Sequence, residues 1–447
     1  MSFIETYSQA LRLTTRPVRL FLVSTLLYWL GMTLVQLYLN FYLQSLGLDQ
    51  GWIGIINATP QLTIVLLTFV IGGVSARIGP WRAMLLGGAM AGLGVAGTAL
   101  AQGPWMVIAA TVVMGAGGGF MWSNSGPFMM ANSKESIRAT LFSLQAALGT
   151  LTGFVAFMVG GQLPSMFGSL LSQPEEGEAV MRATMLVASS FYALALIPVY
   201  AAGKSLKAAA LKAKFSEQPV EATEPHAAGG KRRRFISNRG LVLRLLLPGS
   251  LVGMGAGMTI PFMNVYIERK FNVSFEQLGQ IFAWTAIATA AALMIQPVLA
   301  GRMGKVKSVV LVQGLSLPFL LVLGYSQFFP LVVAALFVRG ALMNMGNPVF
   351  SAYSMERVPE RERATFTSLT TSTWSLGWAT GSWFSGTLRD AIGFEQGFNV
   401  LWGIMALLYA TSMILMWVWF SGHETRQRQE QALEEQALPK KTRPSAA

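Results

Sequence analysis

The chain contains no cysteine, which excludes disulfides, thiolate nucleophiles and cysteine metal sites and says nothing of compartment. Charge is scarce too. Asp, Glu, Lys and Arg make up 12% of residues, against about 25% in soluble proteins. Acid is scarcer than base, 20 Asp and Glu facing 33 Lys and Arg, and there are two histidines. No stretch matches G-x-x-x-x-G-K-[ST], so ATP-driven chemistry has no support. The longest polar segment, 204–239, is too short for a soluble catalytic domain. The expectation is therefore a protein that is not an enzyme, with no cofactor and no metal. All 20 acids, with His226 and His423, fall in the expected loops, linker or tails. A proton-coupled carrier normally needs a titratable group inside the membrane, so this distribution weakens proton coupling.

What fills the chain is apolar: 53% of the 447 residues are hydrophobic, with 46 Gly and 12 Trp. Apolar runs of about 20 residues read as membrane helices. Twelve occur, at about 20–43, 52–75, 83–101, 105–131, 140–163 and 181–202. After a polar gap the rest lie at 245–267, 275–300, 309–326, 331–353, 365–388 and 398–420. The first exceeds 20 residues and is expected to remain as a helix rather than be cleaved as a signal. The chain also repeats itself. Residues 138–168 and 363–393, offset by 225, agree at nine of 31 positions, where unrelated apolar segments would share roughly two. The same offset carries Arg77 and Gly79 onto Arg302 and Gly304, Gly115 onto Gly340, and Glu135 onto Glu360. A duplicated chain builds duplicated structure. The expected fold is an all-α membrane protein of 12 transmembrane helices in two pseudo-symmetric six-helix bundles. The expected domains are a bundle over 1–203, a basic cytoplasmic linker over 204–240, a second bundle over 241–422, and a polar tail over 423–447.

Basic residues give the orientation. With the N-terminus inside, the inner loops and termini hold 28 of the 33 Lys and Arg, the outer loops hold Arg182, Arg269, Lys270 and Arg389, and Arg339 falls inside a span. The positive-inside rule then places both termini in the cytoplasm and the chain in the cytoplasmic membrane. Phe3, Tyr7 and Leu11 stand at helical spacing, read either as an interfacial helix or as a frayed terminus. The net charge of +13 is explained by these loops, and nucleic acid is not an expected partner. The expected partners are a small-molecule solute and the lipid bilayer, and the expected state is a monomer.

The loop after span two, Gly72-Gly73-Val74-Ser75-Ala76-Arg77-Ile78-Gly79-Pro80-Trp81-Arg82, resembles the signature of the major facilitator superfamily. A second copy after span eight runs from Pro297 through Arg302, Gly304 and Lys305 to Lys307. The family's Asp stands as Ala76 in one copy and Gly301 in the other, which leaves the usual inter-helix charge relay incomplete. The resemblance covers about residues 18–420. It implies a secondary transporter that works by alternating access, with a central cavity lined by spans 1, 4, 7 and 10. It also implies gating roles for Gly72, Arg77, Gly79, Arg82, Arg302, Gly304 and Lys305. The Arg-Gly pattern usual in span four stands in span ten as Arg339-Gly340, and the span-five antiporter pattern is met only in degenerate form in span eleven. One fold of this kind serves many solutes.

Candidate solute residues are those whose polarity is out of place in a span. Arg339, about nine residues into span ten, costs about 2.5–3.5 kcal/mol on insertion scales. It binds an anionic substrate group or is bonded to a neighbouring helix, and both readings stand. Trp29, Thr33, Gln36 and Asn40 share a face of span one, with Thr259, Phe262 and Tyr266 as counterparts in span seven and Asn264 nearby. Trp122 and Asn124 in span four, Asn344 and Asn347 in span ten, and Trp374 and Trp378 in span eleven complete a lining of hydrogen-bonding groups and rings. The same side chains also serve helix–helix packing. Glu268, at the outer end of span seven, is the candidate coupling group, its alternative a solvated residue beside Arg269 and Lys270. The aromatic, acid-free lining favours an amphipathic or organic-anion substrate. The alternatives are multidrug-type efflux, proton-coupled or not, and a lipid-handling or receptor protein on the same scaffold.

Overall fold

A chain without water around it must satisfy its backbone internally, and helices do so within one segment. The computed structural model describes residues 13–215 and 237–437, and within them every regular element is helical. Phe3, Tyr7, Leu11, His226 and the basic run at 231–234 lie outside the described residues. Span one is Arg16–Ser45, span two Gln50–Ile78, span three Pro80–Leu100, span four Pro104–Ala131 and span five Glu135–Gly160. A short helix, Leu163–Leu171, precedes span six at Glu178–Phe215. Span seven comes in two pieces, Arg239–Thr259 and Met263–Phe271, joined by a 3-10 turn at Ile260–Phe262. Spans eight to ten are Phe275–Met303, Lys305–Tyr325 and Phe329–Arg357, and spans eleven and twelve are Arg363–Ile392 and Phe394–Ala437. The last helix carries the polar tail as one continuous rod through Ala437.

Eleven described helices are long and apolar enough to cross a membrane. Span eleven falls short on composition, because Thr370 to Thr373, Ser375, Thr380, Ser382 and Ser385 interrupt its apolar run. At 30 residues its length is ample, which makes twelve spans in all. The span ends joined by the loops after spans two, four, eight and ten are called here the near side, and the opposite ends of the spans the far side.

Local chemistry sets the boundaries. Proline occupies the first helical position at Pro80 and Pro104, where its missing N–H costs nothing. Asp49 caps span two by accepting from the Trp52 N–H at 2.8 Å. Span seven breaks at Pro261, which has no N–H and disfavours helical geometry at the residue before it.

The duplication is visible in geometry. Gly79 and Gly304 both end a near-side turn with φ of +84° and +104° and ψ of 158° and 157°, a region reserved for glycine. Arg138 donates to the Met130 carbonyl at 3.1 Å and Arg363 to the Met355 carbonyl at 3.0 Å. In both halves, then, an arginine eight residues on satisfies a carbonyl of the preceding helix's last turns.

The chain forms two compact units. The first comprises 1–234, 256–287 and 378–397, and the second comprises 235–255, 288–377 and 398–447. Spans seven, eight and eleven thus each contribute one part to each unit. In the first unit, spans three and four meet backbone to backbone. A Cβ on Gly117 would stand 2.6 Å from the Gly87 oxygen, and one on Gly94 2.5 Å from the Met114 nitrogen, so only glycine permits this approach. In the second unit, Val242, Leu246, Val306, Tyr353, Phe366 and Phe420 form an apolar cluster where the near-side ends of five spans converge.

Candidate functional site

Within the first unit, the break in span seven is held by an amide knot. Asn40 in span one is 2% exposed and Asn264, just past the break, is 4% exposed. The Asn40 side chain donates to the Pro261 carbonyl and to Asn264 Oδ1, at 3.3 Å to the latter. It accepts at 2.8 Å from Asn57 of span two. Asn264 in turn donates to the Leu37 carbonyl at 2.6 Å. Such a network is favourable only when its members are satisfied. Nearby seams are narrow: a Cβ on Gly54 would stand 2.7 Å from Gly386 Cα, and one on Gly161 3.2 Å from Gly279 Cα. Ser382 bonds the Gly257 carbonyl at 3.0 Å. The far-side parts of spans seven, eight and eleven are thereby fastened to spans one, two and five.

The far-side cation Arg389 is not in a solvated loop. It lies inside the span-eleven helix, 2% exposed, with its guanidinium carbon 4.0 Å from the Phe262 ring centre. It donates to Gln50 Oε1 at 2.7 Å and to the Ser385 carbonyl at 3.1 Å. Arg269 donates to Gln44 at 3.0 Å and stands over Phe394. Lys270 donates to the buried Tyr266 hydroxyl at 2.8 Å. Glu268, the residue before them, is half-buried and makes no ion pair with a described residue.

The expected face of span one separates. Thr33 and Asn40 are buried, Trp29 is half-buried and Gln36 is exposed. Trp29 meets Trp122 edge-on at 5.6 Å between ring centres, and Trp122 is half exposed. Asn124 is buried and bonded to Ser75 at 2.9 Å and to the Phe120 carbonyl at 2.8 Å. Trp378 is half-buried in this unit.

In the second unit, Arg339 is 6% exposed. It donates to the Tyr409 hydroxyl at 3.1 Å, and its guanidinium carbon lies 5.8 Å from the Tyr409 ring centre. Arg339 Nε has no hydrogen-bond partner among the described residues. Asn344 is exposed and donates to the Gly340 carbonyl at 2.8 Å. Gln313 donates to Asn347 at 3.4 Å. Trp374 is half-buried. The second signature loop has an ion pair the sequence did not reveal, Lys305 with Glu356 from span ten. At the 225-residue offset the first half has Pro80 and Ala131 in these places, so that half lacks the pair. Arg77 and Arg82 are exposed and make no ion pair with a described residue. Gly72 meets open space, and Arg302 is exposed.

Asn57, Tyr409, Gln50 and Arg389 were the members that sequence reasoning missed. Asn57 was discoverable as an amide within an apolar run; a tyrosine in span twelve carries no such signal. One cavity of about 580 Å³ opens on the far side, bordered by Gln162, Ser169, Glu175 and Glu276. None of the residues named from the sequence lines it.

Membrane-length helices in two similar halves, with glycine turns after spans two and eight, are the architecture of one class, membrane transport proteins. The sequence pattern of the Major Facilitator Superfamily matches residues 21–254 and 245–446, and the chain belongs to that superfamily. No curated protein matches it in sequence. Among solved structures it is similar to the nucleoside transporter NupG, with 14% identity, TM-score 0.65, 91% of this chain and 99% of that one. It is also similar to a bacterial homologue of the human lysosomal transporter Spinster in an inward-facing, unoccupied conformation. There identity is 13%, TM-score 0.70, and coverage 90% of this chain and 96% of that one. A D-xylose–proton symporter matches at 12% identity and TM-score 0.65, over 90% and 97% of the two chains.

Proposed function

We propose that this protein is a secondary transporter that moves a small organic anion or amphipathic solute across the cytoplasmic membrane by alternating access. Likeness at 12–14% identity reaches the fold and not the substrate, so the substrate class is argued from side chains. The observation that carries it is Arg339. It is a buried cation whose described partner is a neutral phenol and whose Nε has no acceptor among the described residues. An uncompensated buried charge is costly, and a carboxylate or sulfonate on a solute supplies both the counter-charge and the acceptors that a guanidinium fork fits. A hydrophobic cation would call for a buried carboxylate within a span, whereas the described acids lie at span ends, in loops or in the tail of the last helix. The buried one, Glu362 in the loop before span eleven, is bonded to Ser237. In this reading the near side is the cytoplasm, the basic 204–240 segment links two six-span bundles, and Gln36, Trp122 and Asn344, exposed within spans, line the path. Thr33, Asn40, Asn264, Tyr266, Asn124, Trp374 and Trp378 support or close it.

The test is thermal unfolding of the purified protein against a solute panel, followed by flux in liposomes. Organic anions are expected to stabilise the parent and not Arg339→Gln; a ligand at 100 times its dissociation constant adds about 2.7 kcal/mol. Equal stabilisation of both proteins by the same anions would assign Arg339 to packing against Tyr409 and remove the basis for an anionic substrate.

A further inference from the structure

On the near side of the first unit, two cations are held on aromatic faces at one seam. The Trp81 ring packs against Gly203, where no side chain intervenes. Arg82 places its guanidinium carbon 5.4 Å from the Trp81 ring centre. One residue beyond Gly203, Lys204 places its ammonium 5.5 Å from the Tyr200 ring centre. Arg82, Lys204 and Tyr200 are exposed, Tyr200 by 52%. Neither cation makes an ion pair with a described residue. Other near-side cations are differently engaged: Arg19 bonds the Thr14 carbonyl and Arg138 the Met130 carbonyl. In the second half, the corresponding loop has its own acid, through Lys305 and Glu356.

We propose that Arg82 and Lys204, presented by Trp81 and Tyr200, bind the phosphate of an anionic phospholipid in the leaflet at the near side. A ring face fixes one side of each cation and leaves the remaining N–H donors directed outward. The half-buried Trp81, in the first turn of span three, and the exposed Tyr200 suit the headgroup level of a bilayer, where one side of the ring is apolar and the other wet. At the 225-residue offset Glu356 corresponds to Ala131, so the first half has no acid of its own in that place, and the lipid phosphate supplies the counter-charge there. The proposal uses the transporter reading only to identify the leaflet as cytoplasmic.

The test uses the full-length, delipidated protein, titrated with phosphatidylglycerol or phosphatidylcholine and read by native mass spectrometry with no solute present. The parent is expected to retain phosphatidylglycerol in preference. Arg82→Gln with Lys204→Gln should bind it about fivefold more weakly for each charge removed. Arg82→Lys with Lys204→Arg keeps the charge and should restore retention. Arg16→Gln with Arg244→Gln removes the same charge elsewhere and should not change it. Unchanged retention in the Arg82 and Lys204 double variant would overturn the proposal. So would an equal loss in the control pair, which would show a general effect of charge rather than a site. Because no transport is measured, failure of the anion-transport reading leaves this result unaffected.

Discussion

Replacing Asn40 with alanine should loosen the far side of the carrier. The Asn40 side chain makes three hydrogen bonds, to Asn57, Asn264 and the Pro261 carbonyl, at a site with almost no contact with solvent. Each contributes about 1 kcal/mol net, so the substitution removes about 2–3 kcal/mol. If the knot forms only when the far side is shut, the whole amount falls on the opening equilibrium, a shift of roughly 30- to 150-fold. The assay exploits the absence of cysteine, since one introduced thiol has no background. Ser385→Cys is nearly isosteric, and the residue is fully buried in the same unit with no partner for its hydroxyl among the described residues. A membrane-impermeant maleimide should modify Ser385→Cys slowly in the otherwise unchanged protein and at least tenfold faster with Asn40→Ala. A lowered unfolding temperature with no change in labelling rate would refute the reasoning, because the knot would then persist in every state and serve stability alone.

Gly79→Ala and Gly304→Ala should each cost about 1–3 kcal/mol, as both residues hold a backbone region closed to side chains; thermal unfolding of the two single variants checks this, and equal costs would show that the halves use the turn alike. Gly117→Ala drives a methyl onto the Gly87 carbonyl and should lower stability by about 1–3 kcal/mol, whereas Gly126→Ala, which meets open space in the same helix, should fall within about 0.5 kcal/mol. Ser237 donates to Glu362 through its hydroxyl at 2.7 Å and its N–H at 3.2 Å, and these bonds hold the carboxyl below its ordinary 4.5. A depressed folded-state value stabilises above the unfolded one and is lost as pH falls through the folded one, so parent and Ser237→Ala should differ in unfolding temperature at pH 7 and converge towards pH 3.

The twelve spans could be read from the sequence because a bilayer imposes length and apolarity on each crossing separately, whatever its neighbours do. The repeat could be read because duplication preserves spacing, and Gly79 with Gly304, and Arg138 with Arg363, show that it preserved hydrogen bonds as well. Arg339 stood out because a charge amid apolar residues needs a reason. None of this gave partners. Thr33, Gln36 and Asn40 occupy one face by periodicity, yet one is exposed and two are buried, because burial depends on which helix lies opposite and not on angle alone. Arg389 was counted among outer-loop charges, yet Phe262 and Gln50, distant in the chain, enclose it. Lys305 and Glu356 are 51 residues apart and nothing in either segment announces the other. The sequence by itself determined the crossings, their duplication and the isolated charge, all consequences of local composition against a uniform solvent. Only the tertiary structure decided which polar groups meet across spans, because those pairings depend on contacts between segments remote in the chain.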